Sequence, residues 1–218
     1  EPSHKLRIEI EATRRTLLRD GREISGALKF APELTVVALA PEHLAVVTGT
    51  GEERRRYLDL TLFTLDPTYL AMAQQYRRAI RHKQALLRAP LSFAAYADQV
   101  AAWDEKIAAL GDEIRFRRRK LTRELRPLVA QFYEHLSGGE GEAEISYVES
   151  PEGLKEELLA KRATEFAAHR ALCGPHRDDL KMELDRKAAG VVGSQGEKAS
   201  LLLALKLAEI QIVERTRR

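Results

Sequence analysis

Residues 93–136 set the tightest limit on what this chain can fold into. Val100, Trp103, Ile107, Leu110 and Ile114 recur at steps of three and four residues, the spacing of an apolar seam along one side of a helix. Arg117 interrupts the seam, and Leu121, Leu125, Leu128 and Phe132 resume it after a slip of phase, as a stutter does. Gly111 weakens such a helix, and Pro127 is expected to kink or divide it. A seam this long needs a partner. Within the chain the best match is 152–172, with Leu154, Leu158, Leu159, Ala163, Phe166 and Leu172. The pattern predicts an antiparallel helical arm. Its far end is expected near 137–150, where Ser137-Gly138-Gly139-Glu140-Gly141-Glu142 supplies a turn and Ala143–Val148 a short strand.

The rest of the chain reads as α/β around this arm. Leu6, Ile8 and Ile10 alternate with charged residues as in a half-buried strand, 13–19 is a second, more polar candidate, and Asp20-Gly21 supplies a turn before Arg22-Glu23-Ile24. Leu34–Leu39 is a continuous apolar run suited to a buried strand, which Pro41 ends. From Glu52 to Arg88 the period becomes helical, broken at Asp66-Pro67, and Pro90 marks the next break. Thr48-Gly49-Thr50-Gly51 is a loop without the Lys-Ser/Thr that a phosphate-binding P-loop requires. The expected division is a β-rich part over 1–51, a helical part over 52–172, and a return strand with a closing helix over 173–218.

The 218 residues suffice for one large or two modest domains, and 32% charged residues with few aromatics suit long solvated helices. A net charge of +3 says little about partners, so the placement of charge matters more. A single cysteine rules out an internal disulfide and suits a reducing cytosol. No apolar run reaches the roughly 18 residues needed to span a membrane, and Glu1-Pro2-Ser3-His4 does not open a secretory signal.

Two polar stretches carry the chemistry. In Gly193-Ser194-Gln195-Gly196-Glu197, Ser194 stands three residues before Glu197 at the start of a Leu/Ala helix, the spacing of a capping box. Free N–H groups, the helix dipole and flanking glycines make such a start suitable for a phosphate; an ordinary capped helix is the alternative. The second stretch is Cys173-Gly174-Pro175-His176-Arg177-Asp178-Asp179-Leu180. Cys173 and His176 make half of a zinc spacing, but no second pair follows, so no metal is expected. His176, Arg177, Asp178 and Asp179 are expected to form a polar network at the return from the arm, with Arg177 paired to Asp178 or Asp179 in its simplest form.

In chain order, Gly174-Pro175-His176-Arg177-Asp178-Asp179-Leu180, a short strand, then Ser194-Gln195-Gly196-Glu197 opening a Leu/Ala helix, these stretches resemble the RecF family of bacterial recombination-repair proteins. Two more stretches join them: Ala40-Pro41-Glu42-His43-Leu44 through Gly49 to Arg54-Arg55-Arg56-Tyr57-Leu58-Asp59, and Tyr69, Tyr76-Arg77-Arg78-Ala79 and Gln84-Ala85-Leu86-Leu87. The family is similar to the heads of structural-maintenance-of-chromosomes proteins, within the ABC ATPase class. The resemblance implies part of an ABC-type head, with a β-rich portion of lobe I, a helical lobe II and a short arm. It also implies that Ser194, Gln195, Gly196 and Glu197 are the signature, which one subunit of an ATP-dependent homodimer offers to nucleotide held by the other. Glu197 departs from the usual Gln, and a carboxylate near phosphate is repulsive unless it turns back to cap its helix.

The P-loop and the acidic strand of that class are not in these residues. Phosphoryl transfer needs their Lys, Mg²⁺ ligand and water-positioning acid, so no catalytic residue is assigned and the chain alone is expected to be inactive. ATP and Mg²⁺ belong to the complete protein. The resemblance further implies a cytoplasmic, nucleoid-associated protein that binds gapped or junction DNA and promotes recombinase loading, with RecR and RecO as partners.

Candidate DNA contacts are Arg54, Arg55 and Arg56; Arg77, Arg78, Arg81 and Lys83; and Arg115, Arg118 and Arg119, which share a helix face with Thr122. Such residues would meet phosphates and duplex shape. A non-enzymatic helical adaptor that binds a protein through the seam of the arm is the competing reading.

Overall fold

A computed structural model describes residues 4–12, 14–24, 36–150 and 153–217. Strands β1 (Leu6–Ile10), β2 (Arg15–Arg19) and β3 (Arg22–Glu23) form an antiparallel meander, with Leu6 opposite Arg19 and Leu18 opposite Glu23. Asp20 and Gly21 turn between β2 and β3 at φ of 51° and 78°, the left-handed pair that a tight hairpin favours. The Asp20 carboxylate accepts from the Lys5 N–H at 2.8 Å, and this bond lowers its pKa.

The expected strand over Leu34–Leu39 is not found where it can be seen. Leu34 and Thr35 lie outside the described residues, and 36–40 pairs with no strand among the described residues. Val36 is 61% and Leu39 54% exposed. An apolar run reads equally as a strand wherever its neighbours lie, and among the described residues no strand pairs with it.

Pro41–Leu44 makes a 3₁₀ turn into α1 (Ala45–Thr48), followed by α2 (Gly51–Leu65) and α3 (Thr68–Arg88). The α2–α3 break falls at Asp66-Pro67, where the Asp66 carboxylate accepts from the Thr68 N–H at 2.9 Å and caps the new helix. After a turn at 89–92, Ser92 caps α4 (Phe93–Leu136) by accepting from the Ala95 N–H at 3.3 Å. At 44 residues α4 is roughly 66 Å long. Pro127 does not divide it.

The seam of α4 is consumed inside the chain. Val100, Ile107, Ile114, Leu121 and Leu125 are each no more than 2% exposed. That leaves no open seam of the kind the adaptor reading required. α5 (Leu154–Ala168) runs antiparallel along the first half of α4, with Leu154 against Gly111, Arg162 on Asp104 and the Phe166 ring beside Tyr96. α3 lies on another side of the same half, with Lys83 on Asp104 and His82 stacked on Trp103 at 4.3 Å.

The far end of the arm is therefore the α3–α4 turn at 89–92, not 137–150. Leu87, Tyr96, Val100 and Ala171 form a small separate core there. β4 (Ala143–Val148) instead pairs antiparallel with β5 (Asp179–Leu184), Ala143 opposite Leu184 and Val148 opposite Asp179. β6 (Lys187–Ala188) completes this sheet. The reason is length: α5 has 15 residues against 44 in α4. The second half of α4 is covered by β4 and by α7 (Gln195–Arg217), which follows the short α6 (Ala189–Val192). Leu201, Leu202, Leu205, Ala208 and Ile212 of α7 are buried in the main core. Among the described residues, no helix is long and apolar enough to cross a membrane.

Candidate functional site

The stretch before α7 is held from behind and open in front. α6 packs against α1 so closely that a Cβ on Gly190 would stand 2.7 Å from the Val47 carbonyl oxygen. Ser194, Gln195, Gly196 and Glu197 are all exposed. The Ser194 hydroxyl accepts from the Glu197 N–H at 3.2 Å, and a Glu197 carboxylate oxygen accepts from the Ser194 N–H at 2.7 Å. This reciprocal box lowers the Glu197 pKa, chiefly through the Ser194 hydroxyl. Its contribution is present above the ordinary glutamate pKa and fades as pH falls through the lowered one. Glu197 turns back onto its own helix, and a Cβ on Gly196 would meet nothing within 4 Å. The Glu197 N–H is spent on the Ser194 hydroxyl, while the backbone at Gly196 is uncovered, so a ligand can approach the helix start closely.

The second stretch forms the joint between arm and sheet. Asp178 takes both sides of the Arg115 guanidinium, at 3.0 and 3.1 Å, and a hydrogen bond from the Tyr147 hydroxyl at 2.6 Å. Arg115 also reaches Glu157 at 3.1 Å. Burial works against its charge, but the acids outweigh that and raise its pKa. Asp179 accepts a two-pronged pair from Arg54 at 2.8 and 2.7 Å, while Arg55 donates to the Asp178 carbonyl at 2.9 Å. Burial pushes the Asp179 carboxyl up, yet the Arg54 fork holds it below the usual range. The expected ion pair of Arg177 with either acid does not form, since Arg177 donates to the Ala171 carbonyl at 2.8 Å. The His176 ring bonds the Tyr76 hydroxyl at 2.8 Å, and burial, then Arg177, pushes its pKa down to about 4, so it is neutral. Cys173 is buried, its thiol pushed up to about 12 by burial, and no cluster of three metal ligands occurs among the described residues.

The basic candidates separate by burial. Lys83 is fully buried between Asp104 at 2.7 Å and Glu165 at 2.6 Å. Arg115 is 3% and Arg118 4% exposed, and Arg118 binds Asp59 at 2.8 Å and the Pro175 carbonyl at 2.7 Å. These three do not face a phosphate in this structure. They are held inside the fold, Lys83 of α3 by two acids, Arg115 by Asp178 and Glu157, and Arg118 by Asp59 and a carbonyl. Arg54 is engaged with Asp179, Arg55 with the Asp178 carbonyl, and Arg119 with Glu149 at 2.7 Å. Arg56, Arg77, Arg78 and Arg81 remain exposed. Asp59, Asp104, Glu157 and Glu165 meet these cations across 21 to 82 positions of chain, so only the packing joins them; Glu157 also holds a local partner, Lys161, four residues on.

The chain matches no family model. It is 34% identical over 230 residues to the DNA replication and repair protein RecF of a Synechococcus strain, covering 99% of this chain and 60% of that protein. It is 35% identical over 215 residues to the same-named protein of Chloroflexus aurantiacus, covering 91% and 55%. Two solved structures of the recombination mediator protein RecF in the RecFOR pathway, one with ATP and one with ATPrS, superpose with TM-scores of 0.85 and 0.84 at 22% identity, covering 98% of this chain and 60% of theirs. The chain thus spans about three-fifths of the length of these relatives.

Proposed function

Over the span it covers, the chain belongs to the RecF family, and from that premise we propose that it is the signature-bearing part of an ATP-dependent DNA-repair mediator. The observation that carries this reading is the open start of α7, where Ser194 and Glu197 satisfy each other and leave Gly196 uncovered. In the complete protein this face takes the γ-phosphate of ATP, with its Mg²⁺, held by a second subunit. ATP then joins two heads on gapped or junction DNA, and RecR and RecO act with the dimer in recombinase loading. Replacing Ser194 with Arg in the complete protein should abolish ATP-dependent dimerisation, measured by light scattering, and leave ATP binding by the monomer intact. An unchanged dimer would remove the signature role.

The DNA-facing element of this reading is α3. Its 21 residues contain no Asp or Glu. Arg77, Arg78, Arg81 and Arg88 are exposed on it and make no ion pair or hydrogen bond with other described residues. From Arg77 to Arg88 they extend roughly 17 Å, a length that matches several phosphates along one strand. Replacing Arg78 and Arg81 together with Ala should weaken duplex binding equally across sequences. The slope of log affinity against log salt should fall by about 2 in anisotropy titrations. An unaltered slope would place the DNA elsewhere.

A further inference from the structure

We propose that Arg186, at the tip of the β5–β6 hairpin, is a phosphate-binding cation of the signature face, and that it meets the nucleotide held by the second subunit. This role rests on the signature reading of Ser194–Glu197 and adds a residue from outside it.

The hairpin turns in two residues. Leu184 pairs with Lys187, and Asp185 and Arg186 between them stand at φ of 50° and 64°, the geometry that asparagine and glycine favour in a tight hairpin. Asp185 has a structural reason to be there. Its carboxylate accepts from the Glu142 N–H at 2.8 Å, and its own N–H donates to the Glu142 carbonyl at 2.9 Å. Arg186 has none: it is exposed and makes no hydrogen bond or ion pair with other described residues. A side chain held on left-handed backbone costs stability where glycine would not. Strain of this kind is kept where it positions a group for binding.

The neighbours of the turn identify the ligand. Leu184, one residue before the turn, packs against the chain just ahead of the signature, where a Cβ on Gly193 would stand 3.1 Å from its Cδ1. Glu197 and Asp185 also act on one hydroxyl, since burial and then these two carboxylates raise the Tyr133 pKa. Residues 185–188 and 194–197 are exposed, so the hairpin tip and the start of α7 make one open surface. That surface needs positive charge to take a triphosphate. Ser194, Gln195 and Gly196 carry none, Glu197 is negative, and Lys198 lies beside Gly193 and already acts on Glu197. Arg186 is uncommitted. Its guanidinium can take phosphate oxygens in pairs and offset the repulsion from Glu197.

The test is dimerisation of the complete protein, followed by light scattering against ATP concentration, in Arg186→Gly, Arg186→Lys and Ser194→Arg variants. Glycine suits the turn, so the thermal midpoint of Arg186→Gly should equal or exceed the parent's. The ATP needed for half-dimerisation should rise roughly tenfold or more, as expected for one lost hydrogen bond to a charged group. Arg186→Lys keeps the charge and should recover part of the loss. Unchanged ATP dependence in Arg186→Gly, with the dimer still abolished by Ser194→Arg, would overturn this assignment alone. A dimer that survives Ser194→Arg would overturn it together with the signature reading. A lower thermal midpoint for Arg186→Gly would make the side chain structural, and weaker duplex binding without a change in ATP dependence would assign the tip to DNA; either result overturns the proposal.

Discussion

Replacing Arg115 with Met is expected to destabilise this chain by about 3–5 kcal/mol, the range for removing one partner of a buried ion cluster. Arg115 is 3% exposed and holds both Asp178 and Glu157, at 3.0 and 3.1 Å. Methionine fills much of its volume, so little of the loss would come from a cavity. The loss comes chiefly from Asp178, 4% exposed, left with the Tyr147 hydroxyl but no counter-charge, and in part from Glu157, which keeps only Lys161 at 3.1 Å. Urea unfolding followed by circular dichroism measures it. The double variant Arg115→Met with Asp178→Asn should recover part of the loss, because it removes one of the stranded charges. A cost under 1 kcal/mol for the single variant would mean that water reaches the joint and screens it. The same experiment checks the internal role of Arg115, since a DNA-contacting arginine would change affinity and leave stability nearly untouched.

The second large effect is expected at Gly174. Its φ is +113°, and a Cβ there would stand 2.4 Å from the Tyr76 hydroxyl oxygen. Gly174→Ala therefore adds two independent costs, about 1–3 kcal/mol for backbone in a region that suits glycine and about 1–3 kcal/mol for overpacking. The turn it opens is tight, with the Arg177 N–H on the Gly174 carbonyl at 2.8 Å, so the backbone has little freedom to move aside. Adding Tyr76→Phe removes the clashing hydroxyl and should restore the packing part less the hydrogen bond that this hydroxyl makes with the His176 ring at 2.8 Å. Thermal unfolding of the single and double variants checks this, and a Gly174→Ala protein as stable as the parent would sink the argument.

Much of the local structure was legible. The hairpin turn at Asp20-Gly21, the break at Asp66-Pro67 and the box of Ser194 with Glu197 are set by residues within a few positions of one another. The apolar seam of α4 was legible too, since helical periodicity records which side must be covered. It does not record by what. The second half of the seam went to β4 and α7, so 137–150 joined the sheet and the arm ended at 89–92. The exposed, capped start of α7 could be read from the glycines and the Ser194–Glu197 spacing. The joint at Asp178 and Asp179 was legible as a polar cluster, but its cations, Arg115 and Arg54, come from 63 and 125 residues away.

The same limit governs the charged residues. Helix-forming runs rich in arginine and lysine are determined by the amino-acid sequence alone, because propensity and periodicity act over one or two turns. Whether a given cation is a surface charge or an internal one is not. Arg78 and Arg81 face solvent, while Lys83, two residues on, is buried between Asp104 and Glu165. A rotation of about 100° per residue carries a side chain from one surroundings to the other. The acids that receive it arrive from α4 and α5. Only the packing of three helices decided that Lys83 neutralises the interior of the arm and that the arginines beside it remain free.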